Sequence, residues 1–188
     1  MIKKIRTFIA IPLPEKVIDQ ISQLQKELMD YRWKVRWVKP ENIHLTLKFL
    51  GDILPTDKSK IEKAIINAVN DIKPFTLQTK ALGFFPGIKN PRVIWTGISG
   101  HKDNLIHLKN KLEEELELIN FPKEKRQFKS HLTLGRIKSS INKKEIADSM
   151  LKHSNFISES FVCDNIVFYQ SQLTKTGAIY SIISDIKI

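Results

Sequence analysis

The chain has 188 residues, of which 41% are hydrophobic, and its 31 basic and 20 acidic residues give a formal net charge of +11. This length can bury a good core as one large domain or two small lobes, and the charge favours a polyanionic partner or substrate, although a lysine-rich proteome would produce the same bias. The single cysteine, Cys163, excludes an internal disulfide and a CxxC metal knuckle and favours a reducing compartment.

The amino-terminal residues resemble a secretory signal only weakly. Lys3, Lys4 and Arg6 flank or precede the apolar run at 7–11, but this run is too short and Pro12 follows it. No other segment approaches the ~20 apolar residues that a membrane-spanning helix needs. We therefore expect a cytoplasmic protein with no membrane segment.

Apolar periodicity predicts the element order β-α-β-α-β, read twice, with one strand added at the end. A helix is expected at about 15–30, and Thr56 is expected to cap a second helix. In the second half, a helical stripe covers 105–119, and Asn142 with Glu145 resembles a capping box for a further helix. Strands are expected at two copies of a short motif and at 6–11, 75–82, 92–99, 161–169 and 179–186.

The motif is the tetrapeptide His-Leu-Thr-Leu, which occurs at residues 44–47 and again at 131–134. Side chains alternate along a strand, so the His and the Thr project from one face while the leucines point into a core. Each copy therefore offers an imidazole beside a hydroxyl, His44 with Thr46 and His131 with Thr133. Two such pairs facing one another would form a general acid–base site.

The two motif copies are 87 residues apart (131 − 44 = 87), and the same step maps much of the first half onto the second. We therefore predict an α+β fold for residues 1–188, a single bilobal domain whose interleaved lobes are related by a pseudo-two-fold axis. Mostly antiparallel sheets are expected, with the helices packed outside them and the active-site cleft between the lobes. A chain that contains its own pseudo-symmetric partner is expected to be a monomer.

Cations interleaved with aromatic residues precede both motif strands, at 31–39 and at 121–129. Such segments can hold phosphates and stack the bases of single-stranded RNA. Trp33, Trp37 and Phe128 within them could equally be anchors of the hydrophobic core, so both interpretations stay open at this point.

Two imidazoles can divide acid and base work, because a histidine titrates near pH ~6.5 and one ring can accept a proton while the other donates one. In-line displacement at phosphorus needs this arrangement, and the hydroxyls of Thr46 and Thr133 can donate hydrogen bonds to the non-bridging oxygens. Neither motif has a second His or a carboxylate at i+2 or i+4, so we predict no metal and no cofactor. The other histidines, His101, His107 and His153, are expected at the surface.

The chain resembles the 2H phosphoesterases, and among them the RNA 2′,3′-cyclic phosphodiesterases once called 2′-5′ RNA ligases. Residues 37–51, around the first His-Leu-Thr-Leu, resemble the first motif of that family, and residues 128–136 resemble its second motif. The opening strand at 6–11, a central hairpin at 83–95 and closing strands at 171–180 extend the resemblance over nearly the whole chain.

The resemblance implies the bilobal fold and the metal-independent hydrolysis of a terminal 2′,3′-cyclic phosphate, on RNA or on a small cyclic nucleotide, to a 2′-phosphomonoester. It implies that His44 gives a proton to the leaving 3′ oxygen and that His131 accepts the proton of the attacking water. It also implies that Thr46 and Thr133 bind the phosphate. The residues alone leave open which histidine is the acid, because the two half-sites are near mirror images.

Arg136 accompanies the second motif, and the resemblance makes it a candidate phosphate ligand. Strict alternation from His131 places Arg136 on the opposite face of the strand, and only a bulge at Gly135 would turn it towards the cleft. Two alternative functions stay open for the whole chain. One is 2′-5′ RNA ligation by the reverse reaction, and the other is RNA binding without turnover.

Overall fold

The computed structural model describes residues 3–175 and 177–188. Within these ranges the helices are α1 (Glu15–Met29), α2 (Lys58–Val69), α3 (Lys102–Glu117) and α4 (Lys143–Lys152). The strands are β1 (Ile5–Ile11), β2 (Val35–Trp37), β3 (Leu45–Ile53), β4 (Phe75–Phe85), β5 (Val93–Gly100), β6 (His131–Ile137), β7 (Phe161–Cys163), β8 (Asn165–Thr174) and β9 (Gly177–Lys187). No helix in the described ranges combines the length and the apolar character needed to cross a membrane.

The strands form a four-stranded sheet with the order β3-β1-β8-β9 and a five-stranded sheet with the order β2-β6-β5-β4-β7. All neighbouring strands in both sheets are antiparallel. The predicted α+β fold, with two lobes of mostly antiparallel sheet, is therefore confirmed. The single strand predicted at 161–169 is wrong in one respect, because the chain there divides into β7 and β8, which belong to different sheets.

Each sheet takes strands from both halves of the chain. From the second half, β8 and β9 join β1 and β3, whereas β4 of the first half joins β5 and β6. The 87-residue step moves β4 onto residues 162–172, which overlap β7 and β8 (75 + 87 = 162; 85 + 87 = 172). This exchange supports our interpretation of one domain with interleaved lobes, since neither half could complete its sheet alone.

The helices cover the outer faces of the two sheets. Gln25 of α1 donates a hydrogen bond to the carbonyl of Leu134 in β6 at 2.9 Å, and α4 contacts β4, so α1 and α4 lie on the five-stranded sheet. Helices α2 and α3 pack against each other, and Glu113 of α3 forms an ion pair with Lys48 of β3. They therefore lie on the four-stranded sheet, which leaves the opposite faces of both sheets free to form a cleft.

Two local predictions are wrong. His153 is not at the surface: it is only 6% exposed at the end of α4, and its Nδ1 lies 3.6 Å from Oε2 of Glu27 in α1. Thr56 does not cap α2, since Pro55–Asp57 form a short 3₁₀ turn and the helix begins at Lys58. Neither difference affects the cleft.

Candidate active site

A cleft of about 730 Å³ lies between the two sheets, and residues of both motifs line it. His44 immediately precedes β3, and His131 is the first residue of β6. The four leucines of the motifs are at most 3% exposed, which fixes both strands to the core from behind. The structure thus brings His44, Thr46, His131 and Thr133 together on the walls of one cleft, as the alternation of the motifs predicts.

The two imidazoles are held in the same way. Nδ1 of His44 lies 2.8 Å from the carbonyl oxygen of Asn42, and Nδ1 of His131 lies 2.6 Å from the carbonyl oxygen of Lys129. A carbonyl can only accept, so each Nδ1 carries a hydrogen and donates it. Nε2 is consequently the nitrogen that exchanges a proton with a ligand, as an acceptor in the neutral ring and a donor in the charged ring.

Aromatic rings enclose His44. Its imidazole stacks on Phe8 with ring centroids 4.7 Å apart, and Tyr180 presents an edge to it at 5.4 Å. The second histidine has a similar but less closed environment, since Phe85 meets the ring of His131 edge-on at 4.9 Å. These rings remove water from both imidazoles and restrict their orientation.

The loss of water lowers the pKa of both histidines. Burial lowers the pKa of His44 to about 4, and the hydrogen bond to Asn42 opposes this effect only in part. Burial also lowers the pKa of His131, the carbonyl of Lys129 raises it, and the positive charge of Arg136 lowers it further. Both rings are therefore neutral at pH 7, and a bound anion would favour the charged form of each.

A bulge in β6 turns Arg136 into the cleft. In the pairing of β5 with β6, Trp95 faces Thr133 and Ile94 faces Gly135, so Leu134 is an extra residue without a partner. The extra residue reverses the alternation, and Arg136 therefore shares the face of Thr133 and lines the cleft. The bulge lies at Leu134, one residue before the position at Gly135 expected from the sequence, and it turns Arg136 towards the cleft as expected.

The residue type at 135 follows from the neighbouring strand. A Cβ atom added to Gly135 would lie 2.5 Å from Cγ1 of Val35 in β2, closer than real side chains approach. Strand β3 has the same bulge, since Ile9 faces Lys48 and Ala10 faces Thr46, with Leu47 left over. Lys48 follows this bulge as Gly135 follows the bulge in β6. No described strand covers the outer edge of β3, so β3 has room for the side chain of Lys48 where β6 needs glycine.

The cleft is positively charged. Besides Arg136, its lining includes Arg6 of β1, Arg36 of β2 and Lys39, and every charged residue in the described lining is a cation. Sequence reasoning gave no role to Arg6, although its position two residues before Phe8 on one strand places both on the same face. Such a set of donors suits a phosphate anion.

The aromatic residues before the motifs all pack against the hydrophobic core, and one of them also faces the cleft. Trp37 lines the cleft, together with Arg36 and Lys39 of the same segment. Trp33 and Phe128 do not line it; they are half-buried and pack against the hydrophobic core. In the described chain, no group of three or more His, Cys, Asp or Glu side chains has the proximity to hold a metal ion.

Three comparisons place the chain among known proteins. A family model described as "LigT like Phosphoesterase" matches residues 11–95 and 98–180. The RNA 2′,3′-cyclic phosphodiesterase of Methanocaldococcus jannaschii is 35% identical over 181 residues, which are 96% of this chain and 99% of that protein. The same fold is found in TT0787 of Thermus thermophilus, with a TM-score of 0.79 at 22% identity and 97% coverage of both chains. It is also found in LigT of E. coli complexed with 3′-AMP, with a TM-score of 0.78 at 22% identity and 99% coverage of both.

Proposed function

Because the chain belongs to the LigT-like phosphoesterase family, we propose that it hydrolyses the 2′,3′-cyclic phosphate at the end of an RNA to a 2′-phosphomonoester. One observation carries this proposal. Two imidazoles, each with Nδ1 bound to a carbonyl and Nε2 left for a ligand, line the same cationic cleft from opposite lobes. The relative in M. jannaschii is named RNA 2′,3′-cyclic phosphodiesterase, and E. coli LigT has been crystallised with 3′-AMP.

The reaction is an in-line displacement at phosphorus. Neutral His131 takes a proton from water through Nε2 while the water oxygen forms a bond to phosphorus. The bond between phosphorus and the 3′ oxygen breaks, and the charged ring of His44 gives its Nε2 proton to that oxygen. The products are a 2′-phosphomonoester and a 3′-hydroxyl, and the two rings return to their starting states by exchanging one proton with solvent.

The assignment of base and acid has support in the charges around each ring. Burial lowers the pKa of His131 most, and the charge of Arg136 adds to this effect, which suits the residue that must be neutral when water arrives. The pKa of His44 is lowered by burial and not by a neighbouring cation. The negative charge of a bound phosphodiester favours a protonated His44, and the 2.8 Å hydrogen bond to Asn42 stabilises that charge.

Three further side chains are proposed to bind the phosphate. Thr46 and Thr133 lie two residues after the histidines on the same faces, so their hydroxyls can donate to the non-bridging oxygens. Arg136 supplies a planar pair of donors and a positive charge where negative charge builds up in the transition state. No step of the proposed reaction is assigned to a metal ion, as the family resemblance implies.

An assay of the purified protein in EDTA tests the proposal. A nucleoside 2′,3′-cyclic phosphate should be opened to the 2′-phosphate, and His44→Ala and His131→Ala should each lower kcat/KM about 100-fold or more. His107→Ala is the matched control, since His107 is exposed on α3. Turnover that survives both substitutions would overturn the mechanism, and a 3′-phosphate product would show that the leaving oxygen is wrong. Joining of RNA ends without hydrolysis would favour the ligase alternative.

Two predictions about the protein's setting remain predictions. The lone thiol, Cys163, is buried in β7, and the expectation of a reducing cytoplasm rests on cysteine usage. The monomeric state rests on the internal pseudo-symmetry of the chain. Sedimentation of the purified protein measures the second of these directly.

A further inference from the structure

A second groove opens beside the catalytic cleft, and we propose that it binds the nucleotides that precede the cyclic phosphate in an RNA strand. The inference rests on the proposed function and specifies its substrate: a single-stranded RNA end is preferred to a mononucleotide. The groove has a volume of about 400 Å³, and its lining consists of Lys48, Phe49, Leu50 and residues 121–126. Phe49 lines the cleft as well, so the two cavities meet at this ring.

Buried ionic contacts hold the wall of the groove in place. Nζ of Lys48 lies 2.5 Å from a carboxylate oxygen of Glu113 and donates a hydrogen bond to the carbonyl of Pro122 at 2.7 Å. The same carboxylate pairs with Lys109 and accepts from the backbone NH of Glu124 at 3.3 Å. Lys48 is only 8% exposed, so these contacts are shielded from water. The segment 121–126 is thus tied to β3 before any ligand binds, which reduces the entropy that binding would cost.

The charges on this wall suit a polyanion. Lys125 and Arg126 are exposed, and neither forms an ion pair within the described residues. Lys123 adds a third cation at 3.0 Å from Glu117, and Glu124 is the one exposed acid in the described lining. The excess of positive charge can neutralise the phosphates of a strand, while the 65% exposed ring of Phe49 offers a stacking surface for a base.

The direction of the reaction leads a strand into this groove. In-line attack places the water and the leaving 3′ oxygen on opposite sides of phosphorus, so the ribose lies towards His44 and the water towards His131. The rest of the strand continues from that ribose through its 5′ oxygen. Phe49 shares the face of His44 and Thr46 on β3, because the bulge at Leu47 turns it there. The strand therefore leaves the cleft on the side where the groove begins.

Chain length provides the test. RNA ends of one to about five nucleotides, each with a 2′,3′-cyclic phosphate, are compared in wild type and in a Lys125→Ala, Arg126→Ala double variant. In wild type, kcat/KM should rise with length. In the variant, the ratio of kcat/KM for the longest RNA to that for the mononucleotide should fall about tenfold, and the salt dependence for that RNA should weaken by a slope of about 1.4, at 0.7 for each lost phosphate contact.

A matched control removes two cations from the other lobe. Lys143 and Lys144 are exposed at the start of α4, and their double alanine variant should leave the ratio unchanged. An equal fall of the kcat/KM ratio in the two double variants would show that net charge alone is responsible and would overturn the proposal that the groove binds RNA. A wild-type kcat/KM that does not depend on the length of the RNA would also overturn it.

Direct binding separates this inference from the proposed function. A 5′-fluorescein RNA of about five nucleotides with a 2′-phosphate end is titrated with each protein, and its dissociation constant should rise about tenfold for the Lys125, Arg126 variant. If wild type opens none of the cyclic phosphates, the proposed function fails, but this titration still shows whether the groove binds RNA. Equal affinity for wild type and variant would refute the groove even if turnover is normal.

Discussion

The depressed pKa of His44 predicts a specific loss of stability in mild acid. The ring is neutral in the folded protein down to about pH 4, whereas in the unfolded chain it takes up a proton near its ordinary pKa of 6.5. The unfolded state therefore binds more protons in between, and stability falls as the pH falls. The contribution of His44 is fully present above pH 6.5 and is lost progressively towards pH 4.

The size of the effect follows from the two pKa values. At about pH 5, the unfolded chain lies roughly 1.5 pH units below its histidine pKa while the folded ring is still neutral. At 1.36 kcal/mol per unit, this difference corresponds to about 2 kcal/mol of lost stability relative to neutral pH. A loss of this size is readily measured by chemical denaturation, because it is a sizeable share of the stability of a small domain.

Urea unfolding at about pH 7.5 and about pH 5 measures the effect, and His44→Gln isolates it. Glutamine has no titratable ring, so the variant should lose about 2 kcal/mol less than wild type over this interval, whatever its stability at neutral pH. The pKa values of His131 and His153 are lowered as well, but their effect is common to both proteins. Proton NMR of the His44 ring gives the midpoint directly, and inorganic phosphate in the cleft should move it upwards.

Equal acid losses in wild type and in His44→Gln would refute the reasoning. An NMR midpoint near the ordinary histidine value would refute it independently, because it would mean that Phe8 and Tyr180 do not exclude water from the ring. If phosphate left the NMR midpoint unchanged, a bound anion would not favour the charged form of His44. That result would also contradict the proposed role of His44 as the acid.

Three further predictions concern phosphate binding and the core of the site. Thr133→Val, which keeps the volume of the side chain, should lower kcat/KM for a nucleoside 2′,3′-cyclic phosphate at least tenfold with little change in melting temperature, as thermal unfolding would verify. Arg136→Ala should weaken inhibition by inorganic phosphate about tenfold or more. It should also raise the pKa of His131, which NMR titration measures, and an unchanged pKa would mean that the charge of Arg136 does not act on this ring. Lys48→Met should destabilise the fold by about 3 kcal/mol because it leaves Glu113 buried with one partner fewer. Lys123→Met, at an exposed pair, should leave the urea midpoint nearly unchanged, and urea unfolding of both variants would show the difference.

The parts of the fold that depend on local pattern could be predicted from the sequence. Alternation along the motifs placed their leucines in the core and their His and Thr side chains in the cleft, and the structure confirms both placements. The cap of α4 is equally local: Asn142 accepts a hydrogen bond from the backbone NH of Lys144. The other half of the predicted capping box is wrong, since the carboxylate of Glu145 accepts a hydrogen bond from Trp33 instead.

The remaining features depend on partners that are distant along the chain. The bulge at Leu134 exists only in the pairing of β6 with β5, so the sequence could name it as a condition for Arg136 but could not establish it. Lysine is usually exposed, and nothing near Lys48 in the sequence indicates that it is buried against Glu113, 65 residues away. His153 is buried as well, and the carboxylate beside it belongs to Glu27, which is far away along the chain.

The differences between the two half-sites explain how a repeated motif can carry two roles. The 87-residue step pairs His44 with His131, and both rings have the same bond from Nδ1 to the carbonyl two residues earlier. The rings by themselves are therefore held alike, so in the proposed mechanism their neighbours must determine which ring is the acid and which is the base. The same step pairs Phe49 with Arg136 (49 + 87 = 136), and both face the cleft after equivalent bulges.

Arg136 brings a positive charge to the second half-site, where it adds to the effect of burial in lowering the pKa of His131 and is proposed to hold the phosphate. Phe49 brings an uncharged, exposed ring to the first half-site, at the entrance to the groove. A substrate that is an anion at one end and a chain of bases at the other fits this polarity in one orientation only. In the proposed mechanism its phosphate would lie against Arg136, with the attacking water on the side of His131, and its ribose and strand would lie on the side of His44 and Phe49. We therefore propose that this difference between the two repeats orients the substrate, and that the orientation decides which of the two histidines acts as the acid.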